Sequence, residues 1–321
     1  LKKSIMIILA CVMMIALSAC SNINKNEKKD VSTNNKLKIY TTAFAFESFT
    51  EQIGGKYVEV ESIYPPGADM HSFEPTQKEM VNIAKSDLFI YSNQDMDSVA
   101  KKIAGSINNK HLKLPVAANL KHDDLLANHE HDHNHEEHEH EHDHEESGND
   151  PHVWLDPVLN KKIVKSIKTD LVEKDPQHKA YYEKNYKQLI ADLDHINQQM
   201  RHITSNPKRD TVVISHDSIG YLANRYGFKQ VGVSGMNNEE PSQRDLMEIV
   251  QRINETKQPY VLYEQNISSK VTDVIQKESH TTPLSFHNMA TLSEKEVNDK
   301  DVSYQSLMKE NMKSLNKALN N

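Results

Sequence analysis

Apolar and polar positions alternate along the chain in two rhythms, and their order predicts the elements. Leu37 to Thr41 reads as a short strand. Phe44 to Ile53 has helical spacing and runs into Gly54 and Gly55, which can supply a left-handed stop. Tyr57 to Ile63 alternates as a strand would. After a loop, Thr76 with Glu79 makes a capping-box pattern, so a helix should run to about Lys85, and Asp87 to Tyr91 should form the next strand. A second region repeats the rhythm. Thr211 to Ser215 reads as a strand and Ser218 to Tyr226 as a helix closed by Gly227. Tyr260 to Tyr263 reads as a strand, about Ser268 to Lys277 as a helix, and Tyr304 to Leu319 as a further helix. Strands that alternate with helices imply parallel sheets with crossovers.

Between the two regions, Asp175 and Pro176 make a good helix start. Tyr182, Tyr186, Leu189, Leu193, Ile196, Met200 and Ile203 then recur at alternating steps of four and three, a stripe that packs against the body of the protein.

Two stretches break the patterning. At the N-terminus, Lys2 and Lys3 precede an apolar run from Ile5 to Leu17 that is shorter than the ~20 residues a spanning helix needs. It ends in Leu17, Ser18, Ala19 and Cys20, which resembles a bacterial lipobox whose cysteine becomes a lipidated N-terminus. Residues 1–19 are therefore expected to be a signal peptide and Cys20 the lipidation site. The polar residues 20–36 are expected to be a flexible tether. The only other cysteine, Cys11, lies inside the signal, so the mature chain would hold no internal disulfide and would depend on its own core.

The second break is a tract in which His129, His131, His133, His135, His138, His140, His142 and His144 alternate with Asp, Glu and Asn. Such a tract cannot build a packed core. Imidazoles with carboxylates are a competent ligand set for zinc, copper or nickel, so residues 129–146 read as an accessory metal-collecting loop of poor selectivity. The bland alternative is a solvated acidic loop. The formal net charge of −8 argues against a nucleic-acid partner and suits a cationic ligand.

Three other histidines sit in different surroundings. His71 follows a Pro-Pro-Gly turn after a strand, His152 lies beside the single tryptophan, and His216 stands at the end of a strand. Ligands of open α/β sheets bind beyond the carboxyl ends of strands, where His71 and His216 fall. Singly, each is more often a hydrogen-bonded core or surface histidine, and their spacing does not join them.

At these residues the chain resembles the metal-binding lipoproteins of bacterial ATP-driven zinc and manganese importers. Tyr64 to Thr76 is similar to that family's first ligand loop and Asp150 to Pro157 to its second. Ser215 to Ser218 with Gly220, Tyr221 and Leu222 resembles the third, and Glu240 to Ser242 another recurring element. The resemblance implies an α/β fold of two (β/α) lobes joined by a long rigid helix, with the metal in the cleft between them. The lobes would span 37–174 and 205–321, with the linker helix over 175–204. His71, His152 and His216 would hold Zn2+ as the transported ligand. An ABC permease and its ATPase would be the partners. The protein would be a monomer, lipid-anchored on the extracellular face of a Gram-positive membrane.

Three imidazoles suit zinc better than manganese, which favours oxygen ligands. The family usually adds an Asp or Glu from a loop near the C-terminus. In the corresponding stretch, Pro283 to Leu292, Ala290 stands where the acid is expected, so water, His287 or a side chain of the histidine tract would complete the site. Two alternatives stay open: a receptor for manganese or another divalent ion, and a zinc hydrolase that uses an open fourth position to activate water. Surface adhesion is a further possibility with no residue that argues for it.

Overall fold

The computed structural model describes residues 29–127, 149–237, 239, 241–264 and 270–321. Cys20 and all eight histidines of the tract lie outside them, as do Asn238 and Glu240. Two four-stranded, wholly parallel sheets form two α/β lobes.

In the first lobe, β1 (Leu37–Thr41) lies between β2 (Val58–Ser62) and β3 (Leu88–Tyr91), with β4 (Lys113–Pro115) outside β3. The connections carry α1 (Phe44–Gly54), α2 (Gln77–Ala84) and α3 (Ser98–Ser106). The capping box opens α2 as the sequence predicts: Thr76 Oγ1 accepts from Glu79 N at 3.3 Å and Glu79 accepts from Thr76 N at 2.6 Å. Gly55 follows α1 at φ 52°, the positive region that glycine supplies.

The second lobe has the same order. Strand β5 (Thr211–His216) lies between β6 (Lys229–Ser234) and β7 (Tyr260–Glu264), with β8 (Thr282–Phe286) outside β7.

Two helices occupy the segment between the lobes. The first, α4 (Pro157–Lys174), is absent from the elements predicted above. Asp156 caps it by accepting from Val158 N at 2.7 Å and Leu159 N at 3.3 Å, and Pro157 fills its first position. A 3-10 turn at Pro176–His178 then reverses the chain into α5 (Lys179–Ile203). The linker helix read from the sequence over 175–204 therefore begins in this turn. Asp175 ties the turn down by accepting from Tyr182 Oη and engaging His178 Nδ1 at 2.7 Å.

The buried members of the α5 stripe are Tyr182, Leu189, Leu193, Ile196 and Met200. They belong to one apolar core that runs through both lobes. The last part of the polar 20–36 stretch is not free either. Val31 is buried, its carbonyl accepts from Gln177 Nε2, and Lys29 pairs with Asp87 at 2.6 Å. A buried side chain, a hydrogen bond and an ion pair together tie this segment down.

The second lobe is completed by α6 (Gly220–Tyr226), α7 (Gln243–Glu255), α8 (Lys270–Ser279) and α9 (Tyr304–Asn320). Among the described residues no helix is long and apolar enough to cross a membrane.

Candidate metal centre

The loops at the carboxyl ends of the two sheets bring three histidines together. His71 lies in the loop between β2 and α2, His152 in the segment before α4, and His216 is the last residue of β5. The rings sit 5.6 Å (His71 to His152), 5.5 Å (His71 to His216) and 5.0 Å (His152 to His216) apart, centroid to centroid. One nitrogen from each lies within 4.8 Å of the others. Tetrahedral zinc, with Zn–N of about 2.0–2.1 Å, needs these nitrogens roughly 3.3 Å apart. A small contraction therefore closes the set around one ion. No other group of three His, Cys, Asp or Glu side chains among the described residues does this.

Each ring has its own orienting group. Asp150 Oδ1 accepts from the backbone N–H of His152 at 2.9 Å and lies 2.8 Å from its Nδ1. Because that oxygen already acts as an acceptor, Nδ1 carries the ring proton and Nε2 keeps its lone pair. Nε2 is buried without a hydrogen-bond partner among the described residues, as is Nε2 of His71. An orphaned buried nitrogen is costly unless something binds it. Trp154 packs edge-on against His152, and its indole N–H donates to the Asn288 carbonyl at 2.7 Å. Asp69 Oδ1 accepts from the His71 backbone N–H at 2.9 Å.

His216 is held differently. Its Nδ1 lies 3.1 Å from Glu264 Oε2 and its Nε2 lies 2.8 Å from the Met236 carbonyl oxygen. Glu264 also accepts from Ser218 Oγ and from Asn288 Nδ2.

The electrostatics follow from these contacts. Burial, reinforced by the repulsion of a neighbouring imidazolium, pushes His152 down to about 3 and also lowers His71 strongly, so both are neutral near pH 7. Burial alone would lower His216 too. The Glu264 charge and hydrogen bond, with the Met236 carbonyl, outweigh it and raise His216 above the ordinary range. Burial raises Asp150 to about 7.

Of the side chains named from the sequence for the fourth position, His287 does not join the cluster and those of the histidine tract lie outside the described residues. Ala290 is buried, and its carbonyl accepts from Phe44 N. His287 points elsewhere: Nδ1 accepts from Met289 N at 2.8 Å and Nε2 lies 3.5 Å from Glu296. Sequence reasoning missed Glu264, whose only signal is its place at the carboxyl end of a strand. It also missed the roles of Ser218 and Asn288.

The chain resembles characterised proteins over nearly its whole length. Residues 39–318 match the family model described as zinc-uptake complex component A, periplasmic. The high-affinity zinc uptake system protein ZnuA of Bacillus subtilis is 34% identical over 318 residues, covering 99% of this chain and 97% of that protein. The zinc-binding lipoprotein AdcA of Streptococcus pneumoniae is 31% identical over 314 residues, and the match spans 98% of this chain but only 60% of AdcA. The crystal structure of the Zn(II)-bound ZnuA-like domain of that AdcA superposes with a TM-score of 0.72 at 27% identity, covering 89% of this chain and all of that domain. On the extent and identity of these matches, the chain belongs to the zinc-uptake component A (ZnuA) family of solute-binding proteins.

Proposed function

We propose that the chain captures a zinc ion outside the membrane and delivers it to an ATP-driven importer, with His71, His152 and His216 as the protein ligands. The observation that carries this reading is the convergence of three imidazoles, two of them with buried Nε2 atoms that have no partner among the described residues. An all-nitrogen set favours zinc over manganese. The relatives named for zinc uptake and zinc binding support the same cargo.

The chemistry also favours binding over turnover. A zinc hydrolase needs a general base poised to take a proton from bound water, and the carboxylates that orient the rings are the nearest candidates. Here Asp150 is engaged with His152, and Glu264 with His216, Ser218 and Asn288. Each ring nitrogen of His216 faces an acceptor, Glu264 at 3.1 Å and the Met236 carbonyl at 2.8 Å, so zinc on either nitrogen opens one of these contacts and displaces its proton. Cys20 would carry the lipid that keeps the monomeric receptor beside its permease and ATPase, and the histidine tract would gather ions nearby.

Calorimetric titration of zinc into the protein and into a variant with alanine at all three positions tests the assignment. Loss of the tight binding event is expected. Unchanged affinity would refute these ligands.

A further inference from the structure

Ala127 and Asn149, which flank the histidine-rich insertion in the sequence, form an antiparallel bridge. Asp150 N donates to the Leu126 carbonyl at 2.8 Å and closes this neck. Two residues further on is His152, oriented by the Asp150 carboxylate. The neck is also gripped from the other lobe. Tyr221, on α6 and almost fully buried, accepts from Leu126 N at 3.3 Å and donates to the Asp150 carbonyl at 2.9 Å. Beside it, Gly220 packs so tightly that a methyl group there would lie 2.9 Å from Asp150 Oδ2 and 3.1 Å from Gln230 Nε2. One turn along, Arg225 grips Asp156 at 2.6 Å.

A single short helix, four residues after His216, therefore holds both ends of the segment that carries His152. A tyrosine that only filled space would need no hydroxyl. Here the hydroxyl makes two hydrogen bonds, one to each side of the neck, and the bond to Asp150 is buried.

We propose that Gly220 and Tyr221 are positioning residues of the metal centre: they lock the neck of the histidine-rich insertion and the Asp150–His152 pair onto the lobe that carries His216. This rests on the reading of His152 and His216 as zinc ligands. Its consequence is that the protein holds His152 and His216 close together before zinc arrives, and that any displacement of the neck is passed to His152 through Asp150. A group that orients a ligand through its carboxylate partner typically changes metal affinity by about 10–100-fold when removed. Tyr221 acts one step further out, so a loss of roughly 10-fold, the lower end of that range, is expected for Tyr221→Phe.

The test uses the full chain and a zinc chelator that reports only the tightest site. It is joined to the visible absorption spectrum of the Co2+-loaded protein, which reads ligand geometry. Tyr221→Phe keeps the ring and its volume. It should weaken zinc and shift the cobalt bands, and Gly220→Ala should do the same. Leu193→Ala, a core truncation in α5, should lower thermal stability and leave both readouts unchanged.

If Tyr221→Phe behaves like Leu193→Ala, the proposal is overturned. If Gly220→Ala does not fold, Tyr221→Phe decides alone. The three-alanine variant separates the two layers. Retained tight binding there defeats the ligand assignment itself, whereas lost binding with a silent Tyr221→Phe defeats only the positioning role.

Discussion

Replacing Glu264 by glutamine should change the number of protons that zinc displaces, and the structure sets that number. His216 faces an acceptor on each ring nitrogen, Glu264 at 3.1 Å and the Met236 carbonyl at 2.8 Å. An imidazole between two acceptors must carry both protons. Burial opposes that charge, but the Glu264 carboxylate and these bonds prevail and raise its pKa to about 9. At pH 8 roughly nine-tenths of His216 is therefore protonated before loading, and competition with that proton costs about 1.4 kcal/mol, or tenfold in apparent affinity. His71 and His152 are held neutral by burial and contribute no proton. Asp150, raised by burial to about 7, is mostly ionised already at pH 8.

Zinc should thus release about one proton at pH 8, not the three that a set of fully protonated ligands would give. In Glu264→Gln the carboxylate charge is gone, burial governs His216, and the release should fall towards zero. Calorimetric titrations in buffers of different ionisation enthalpy count these protons. A release near zero or near three in the native protein, or equal release in both proteins, would refute the reasoning.

Other outcomes follow from the same geometry. Asp150→Asn should weaken zinc by about 10–100-fold, measured by chelator competition, because the His152 ring loses its charged orienting partner. In the metal-free protein His71 and His152 have folded pKa values below their ordinary 6.5. The unfolded chain therefore binds protons that the folded one refuses. Their contribution to stability should be intact above about 6.5 and should fall progressively as the pH drops towards 3, an effect that denaturant melts across that window would detect. Leu193→Ala should cost about 3 kcal/mol in a denaturant melt, since Leu193 is fully buried in the core shared by both lobes.

Much of the fold was legible where local chemistry was strong. The capping box at Thr76, the glycine after α1 and the compact apolar runs of β3 and β5 each announce an element. Six elements escaped, α3, α4, α7, β4, β6 and β8, and in two of the strands the signals conflict. Strand β8 contains Pro283, which fits only because β8 is an edge strand. Strand β6 is another edge, with Gly232 interrupting its alternation. For α4 the signal was present, since Leu159, Ile163, Ile167 and Leu171 recur at steps of four behind an Asp-Pro start.

At the site, the strand-end rule marks His71 and His216. The groups that tune the rings needed the fold. Glu264 is 48 residues from His216, and Tyr221 is 71 residues from Asp150. Only the packing of one lobe on the other, and of β5 on β7, makes neighbours of them.

A crystal grown with zinc and measured on both sides of the zinc absorption edge is the most direct trial of the metal centre. One anomalous peak about 2.0–2.1 Å from a nitrogen of His71, of His152 and of His216 is the predicted result. A principal peak elsewhere, with these three rings bound to no ion, would contradict it.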